Sequence, residues 1–173
     1  WLDSGDDCVQ GYNAHTEIDL DCKNWRNLKP VEDPETAPFV VASVDIECNS
    51  STGKFPDADI EGDACFQIAI SLCKFGSDEP YDKTCLCYKK TDSKLDGCNI
   101  VSFDTEREML EAFRDYLHKN DVDIITGWNI FGFDLEYLMK RAIVTRCNLK
   151  FFQLSKLRGH NCELTLKKLS SSA

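Results

Sequence analysis

Apolar positions along the chain follow two periods, and the change from one to the other predicts the order of its elements. Phe39 to Glu47 reads as a central strand. It ends with Val44 and Ile46 on one side and Asp45 and Glu47 on the other, as a period of two requires. Ala64 to Cys73 is almost continuously apolar and of strand length, which predicts a strand buried on both faces. Thr84 to Lys89 and Asn99 to Phe103 give a third and a short fourth strand. The period then lengthens. Met109, Leu110, Ala112, Phe113, Tyr116 and Leu117 form a stripe at helical spacing, opened by Thr105-Glu-Arg-Glu108, the pattern of a capping box. Val122 to Thr126 returns to strand and stops at Gly127. A second helix is predicted to start near Phe133 or Asp134 and to carry Leu135, Leu138, Met139 and Ala142 inward.

The fold class expected from this order is α/β, a mixed sheet with helices against it. Asn49 to Gly62, with Gly53, Pro56 and several acids, reads as loop. Upstream, the first thirty-odd residues are polar and irregular, with short alternating pieces such as Thr16-Glu-Ile-Asp-Leu20. Lys29 to Pro38 holds three prolines in ten residues, and proline fixes φ and removes a donor. That stretch is a linker or a rigid wrap. Residues 1–38 are therefore set apart as the end of a preceding region, and residues 39–173 as the main domain.

Composition changes this picture little. At 29% charged and 42% hydrophobic the chain is an ordinary globular one, and no apolar run approaches the roughly 18 to 20 residues that span a bilayer. Trp1 in place of Met and the closing Leu169-Ser-Ser-Ser-Ala173 look like cut ends, so a piece of something longer is expected. Ten cysteines suggest a disulfide scaffold or zinc. Without a leader or any C-x-x-C pair, reduced thiols in an intracellular compartment are the favoured reading. The net charge of −10 is uneven: residues 140–173 carry +7 through Lys140, Arg141, Arg146, Lys150, Lys156, Arg158, Lys167 and Lys168 against Glu163. Such a tail could approach phosphate, or be a solvated helix face.

The candidate chemistry lies at two strand ends. Asp45 and Glu47 share one side of the first strand, where like charges repel unless a cation lies between them. Asn129 sits in the turn after Gly127, and Asp134 falls at the first turn of the second helix, where amides and the helix dipole favour an anion. Taken singly, Asp134 could be a plain cap, Asn129 a turn former and the strand acids merely solvated. If the sheet brings the strand end beside the helix start, three carboxylates meet, an oxygen-only set suited to Mg²⁺ or Mn²⁺. Two such ions serve phosphodiester hydrolysis.

Ser43-Val-Asp45-Ile-Glu47-Cys48, Lys54-Phe-Pro-Asp57, Gly62-Asp63 and Gln67-Ile-Ala69 resemble the first exonuclease motif of family B replicative DNA polymerases. Order and spacing are most similar to the polymerase delta branch and its relatives in large DNA viruses. Asp123-Ile-Ile-Thr-Gly-Trp-Asn129-Ile-Phe-Gly-Phe133-Asp134 resembles the second motif, N-x-x-x-F-D. The resemblance covers residues 39–150 well, and residues 1–38 look like the tail of the family's β-rich N-terminal domain.

The resemblance implies an RNase H-like (DEDD) 3′→5′ exonuclease domain that proofreads beside a polymerase. It implies two Mg²⁺ or Mn²⁺ ions, with Asp45 and Glu47 ligating the first, Asp134 the second and Asp45 bridging. Asn129 would position the frayed primer end or a carboxylate ligand, and Phe133 would pack near the terminal nucleotide or serve the core. Implied partners are primer-template DNA with a frayed 3′ end, the rest of the polymerase chain (palm, fingers and thumb) and a sliding clamp, with no membrane. The implied location is the nucleus or a viral replication site. The family's third motif, a Tyr and a fourth Asp, has no counterpart in residues 150–173, where the only acid is Glu163 and no tyrosine follows Tyr137. The chain alone is thus expected to be inactive. A stand-alone nuclease of the same fold and a non-catalytic module of that fold are the alternatives.

Overall fold

A computed structural model describes residues 2–3, 8–16, 18–92 and 94–163. The charges of Lys167 and Lys168 and the side chain of Cys8 lie outside the described residues. Four short strands come first: β1 (Leu2–Asp3), β2 (Cys8–Gln10), β3 (Leu20–Cys22) and β4 (Lys29–Pro30). They pair antiparallel as β1 with β4 and β2 with β3. Residues 31–39 then run without regular structure, in keeping with Pro34 and Pro38.

The main sheet is built from β5 (Val40–Cys48), β6 (Cys65–Lys74), β7 (Asp82–Tyr88), β8 (Asn99–Phe103) and β9 (Ile124–Thr126), in the order β8-β7-β6-β5-β9. β5, β6 and β7 run antiparallel, whereas β8 joins β7 and β9 joins β5 in parallel. The chain passes from β8 at one edge of the sheet to β9 at the other through α1 (Glu106–Lys119), which lets β9 run parallel beside β5. α2 (Asp134–Val144) and the single turn α3 (Asn148–Phe151) follow.

Helices and sheet bury one shared face. Ala42, Val44 and Ile46 of β5 and Ile68, Ile70 and Leu72 of β6 pack against Met109, Leu110, Phe113 and Leu117 of α1 and Leu138, Met139 and Ala142 of α2. Predicted and observed helix stripes coincide, with Ala112, Tyr116 and Leu135 at their half-buried margins. Thr105 caps α1 reciprocally: its hydroxyl accepts from Glu108 N–H at 3.1 Å, and its own N–H donates to Glu108 Oε2 at 3.0 Å. β6 departs from expectation. Phe66, Ala69 and Lys74 are exposed and Ser71 and Cys73 half-buried, because among the described residues no helix covers the second face of the sheet.

The loop joining β5 to β6 is pinned by two buried charges. Asp63 accepts from Ser51 Oγ at 2.5 Å, Ser51 N–H at 2.6 Å and Asp57 N–H at 3.0 Å, bonds that hold its carboxyl below the usual carboxylate range. Arg141 of α2 is 1% exposed and spends its guanidinium on Glu106 (2.8 and 2.6 Å) and on the carbonyls of Ala58, Ile60 and Glu61.

This corrects the picture of a free basic tail. Arg141 is interior, Lys140 pairs with Glu136, Lys150 with Glu111 and Asp115, and Lys156 with Asp121 and Asp123. Proximity to an acidic surface neutralises these charges within the chain, leaving less for phosphate. The nine described cysteines are free thiols. No helix among the described residues is long and apolar enough to cross a membrane.

Candidate active site

The register of the central strands decides where the carboxylates stand. β9 is short and pairs with β5 only as far as Ser43↔Thr126. Beyond Ser43 this edge of β5 is released, and the chain leaves β9 at Gly127 directly against it. A Cβ at Gly127 would run into the Val44 carbonyl oxygen, so only glycine permits the approach. The turn that follows holds Asn129 at φ 52°, a left-handed conformation that asparagine tolerates. The Asn129 carbonyl accepts from Gly132 N–H at 2.8 Å and from Phe133 N–H at 3.1 Å, which closes the turn and starts α2. The Asn129 side chain folds back over Gly132, where a Cβ would meet its amide.

Asp134 is the first residue of α2 and only 3% exposed. The N–H groups of Asp134 itself and of Ile46, on the released edge of β5, favour its charged form. The helix start thus lies beside the strand end. Burial pushes the Asp134 carboxyl above the usual carboxylate range, and the negative charge of Asp45 pushes it further. Asp45 and Glu47 are both exposed, on the face of β5 opposite Val44 and Ile46. The structure thus brings Asp45 and Asp134 into electrostatic contact, with Glu47 two residues along on the same face. Among the described residues none of the three pairs with a lysine or arginine, although Glu106, Glu111, Glu136 and Asp123 all do.

The donor chemistry suits a hard divalent cation: three carboxylates, no sulfur and no imidazole. The raised carboxyl of Asp134 is a second sign, because a cation beside it would offset both the burial and the Asp45 charge. Full convergence is a different matter. Among the described residues no group of three or more His, Cys, Asp or Glu side chains surrounds a common cation position. Repulsion between like charges opposes such convergence, and a cation would reverse it.

Phe133 is half-buried, with Phe55 edge-on at 5.4 Å and Tyr137 at 5.3 Å. It walls a hollow of about 340 Å³ together with Phe55, Tyr137, Glu136 and Lys140. A larger apolar hollow of about 530 Å³ lies beside β9, lined by Ile125, Phe131, Leu135, Met139 and Leu154. It includes none of the three carboxylates. Sequence pattern missed a group of exposed aromatics around the site: Trp128 is 92% exposed, Phe131 80% and Phe55 77%, the highest values among the described aromatic residues. The signal was available in part, since the turn Gly127 to Gly132 carries two large rings with no apolar period to bury them.

Comparison with known proteins shows the family. The family model "DNA polymerase family B, exonuclease domain" matches residues 2–172. The chain is 31% identical to a DNA polymerase of Paramecium bursaria Chlorella virus NY2A, over 92% of the chain and 18% of that protein. It is 38% identical to the DNA polymerase catalytic subunit of Human herpesvirus 8 type P (isolate GK18), over 78% of the chain and 13% of that protein. It is 34% identical to the DNA polymerase delta catalytic subunit of Glycine max, over 92% and 14% respectively. The chain spans less than a fifth of the length of these relatives. Its mixed sheet with flanking helices is the RNase H-like fold expected from the motifs, and the chain belongs to the family B DNA polymerases, within their exonuclease domain.

Proposed function

We propose that this chain carries part of a proofreading 3′→5′ exonuclease, which removes the terminal nucleotide of a frayed primer for an attached DNA polymerase. The observation that carries this reading is the buried Asp134 carboxylate, close to the Ile46 N–H and to the charge of Asp45, with no basic partner among the described residues. Asp45 and Glu47 would hold one Mg²⁺ or Mn²⁺ and Asp134 a second, with Asp45 shared between them. Bound ions would supply Lewis-acid stabilisation of the charge that develops at the phosphodiester.

The chain's own groups do the positioning. The Ile46 N–H favours the charged form of Asp134, the short β9 leaves that N–H available, and Gly127 lets the turn lie against β5. Asn129 faces the primer end from the turn, and Phe133 is wedged between Phe55 and Tyr137 as a firm wall for the terminal nucleotide. The exposed rings of Trp128 and Phe131 are suited to stacking on unpaired bases, which supports a single-stranded substrate. The product is a nucleoside monophosphate.

The fourth carboxylate and the tyrosine that the resemblance implies have no counterpart in residues 150–173. We place the domain boundary at residue 38, with residues 1–38 as the tail of the N-terminal domain. Primer-template DNA and the palm, fingers and thumb are the partners, in a nucleus or at a viral replication site, with a sliding clamp as a further partner. The test is Asp45→Ala in the longer polymerase. It abolishes degradation of a mismatched primer and leaves synthesis intact, whereas unchanged degradation removes Asp45 from the reaction.

A further inference from the structure

Away from the carboxylates, three separate stretches of chain meet at a seam between the N-terminal residues and the main domain. Ala14 and Leu157 form an antiparallel bridge. His15 N–H donates to the Lys156 carbonyl at 2.6 Å, and Arg158 N–H donates to the Asn13 carbonyl at 2.7 Å. Arg158 Nε donates to the Ala14 carbonyl at 3.0 Å. On the other side of the seam stands the last part of α1. The His15 ring stacks on that of His118, with centroids 4.4 Å apart and planes 14° from parallel. Arg114 lies one helical turn before His118, on the same face. Two imidazoles and two guanidiniums are therefore gathered in a chain whose net charge is −10.

The acids of this neighbourhood already have partners, Arg114 of the seam among them. Asp115 takes Arg114 and Lys150, Asp121 and Asp123 take Lys156, and Asp19 accepts from the N–H groups of Asn13 and Ala14. Among the described residues no carboxylate pairs with His15, His118 or Arg158. Among the described residues two nitrogens shielded from solvent find no partner, His118 Nε2 and Arg114 Nε. The Arg114 side chain is only 13% exposed. Unpartnered buried polar atoms are uncommon in native proteins and call for a specific explanation. The field is positive enough to hold His15 below its usual range, through burial first and then through His118, Arg158 and Arg114.

A bound oxyanion would answer each of these observations. It would accept from both orphaned nitrogens, offset the mutual repulsion of the four groups and join the three stretches of chain. We propose that the seam formed by His15, Arg114, His118 and Arg158 is a phosphate-binding site, filled either by inorganic phosphate or by a backbone phosphate of single-stranded DNA. It goes beyond the exonuclease reading and does not depend on it. Lys150 and Lys156 already hold their own acids.

The chain contains three histidines, so their ring signals can be followed one by one in the 173-residue chain by NMR. Sodium phosphate, and separately a short oligothymidylate, are titrated at constant ionic strength set by chloride. The His15 and His118 signals are expected to move together and saturate, while that of exposed His160 stays in place. At saturation the titration midpoint of His15 rises by about one pH unit, a tenfold gain in proton affinity, the order that a neighbouring opposite charge produces. Arg158→Gln weakens saturation by roughly tenfold, the loss of one charge-assisted contact. Saturation by the oligonucleotide at a lower phosphate concentration than by the free ion assigns the site to nucleic acid, and the reverse order assigns it to the small anion. Parallel, unsaturating drift of all three histidines, or no movement of His15 and His118 with either probe, overturns the proposal.

Discussion

Two acidic side chains in this protein begin helices, lie almost fully buried and are treated in opposite ways. Glu106 opens α1 and is 6% exposed; Asp134 opens α2 and is 3% exposed. Glu106 meets a two-point contact from Arg141 and the N–H of Cys65 at 2.9 Å. Asp134 meets the N–H of Ile46 and the negative charge of Asp45. The first arrangement closes on itself, since the charge is paired and its remaining lone pairs are used. The second is left with a surplus of negative charge. Residue type, helix position and burial are shared, so none of them tells a structural acid from a chemical one. What faces the carboxylate does.

The largest expected effect falls on the closed centre. Arg141→Met leaves Glu106 buried without its partner and frees three loop carbonyls, at a cost of about 3 to 5 kcal/mol. Urea unfolding measures it, and a loss below about 1 kcal/mol would show that Glu106 is not held as described. Next comes the junction that brings the open centre together. Gly127→Ala pushes a methyl group into the Val44 carbonyl, a backbone atom that cannot swing aside. About 2 kcal/mol of destabilisation is expected in the same assay, as for other overpacked sites. Thr105→Ala removes the cap of the helix that Glu106 begins and costs about 1 kcal/mol, read as a lower unfolding midpoint.

The smallest effect has the opposite sign. Asp134→Asn keeps an acceptor for the Ile46 N–H but removes the charge that burial and Asp45 disfavour. Metal-free stability at neutral pH therefore rises slightly. The pH dependence follows from the same shift. A carboxyl whose folded value lies above its unfolded one binds its proton more readily when folded. Its contribution is fully present below the unfolded value, near 4, and is lost as pH rises through the raised folded value. Comparing urea midpoints across that range shows this loss in the parent chain and its absence in the Asn variant.

Sequence pattern made β5 to β9, α1 and α2 legible because each packs one face against the core, and burial of one face writes a period into the chain. It made Asp45, Glu47 and Asp134 legible because acids at strand and helix ends are local features. Arg141 was hidden. Counted with the basic residues after position 139, it gives no local sign that its partners are Glu106, thirty-five residues upstream, and a loop some eighty residues upstream. A helical projection would have shown it, since Arg141 shares the inward stripe with Leu138 and Ala142. The second face of β6 misled for a related reason: an apolar run records that residues are apolar, not that a layer is present to cover them. The exposure of Phe55, Trp128 and Phe131 depends on how two loops fold and so leaves no period at all.

Mn²⁺ binding to the 173-residue chain, followed by paramagnetic broadening of backbone amide signals, bears most directly on the open centre. One localised site is predicted, broadening the signals of residues 44–48 and 133–135, and lost in both Asp45→Asn and Asp134→Asn. Broadening elsewhere, or a site that survives both substitutions, would contradict it.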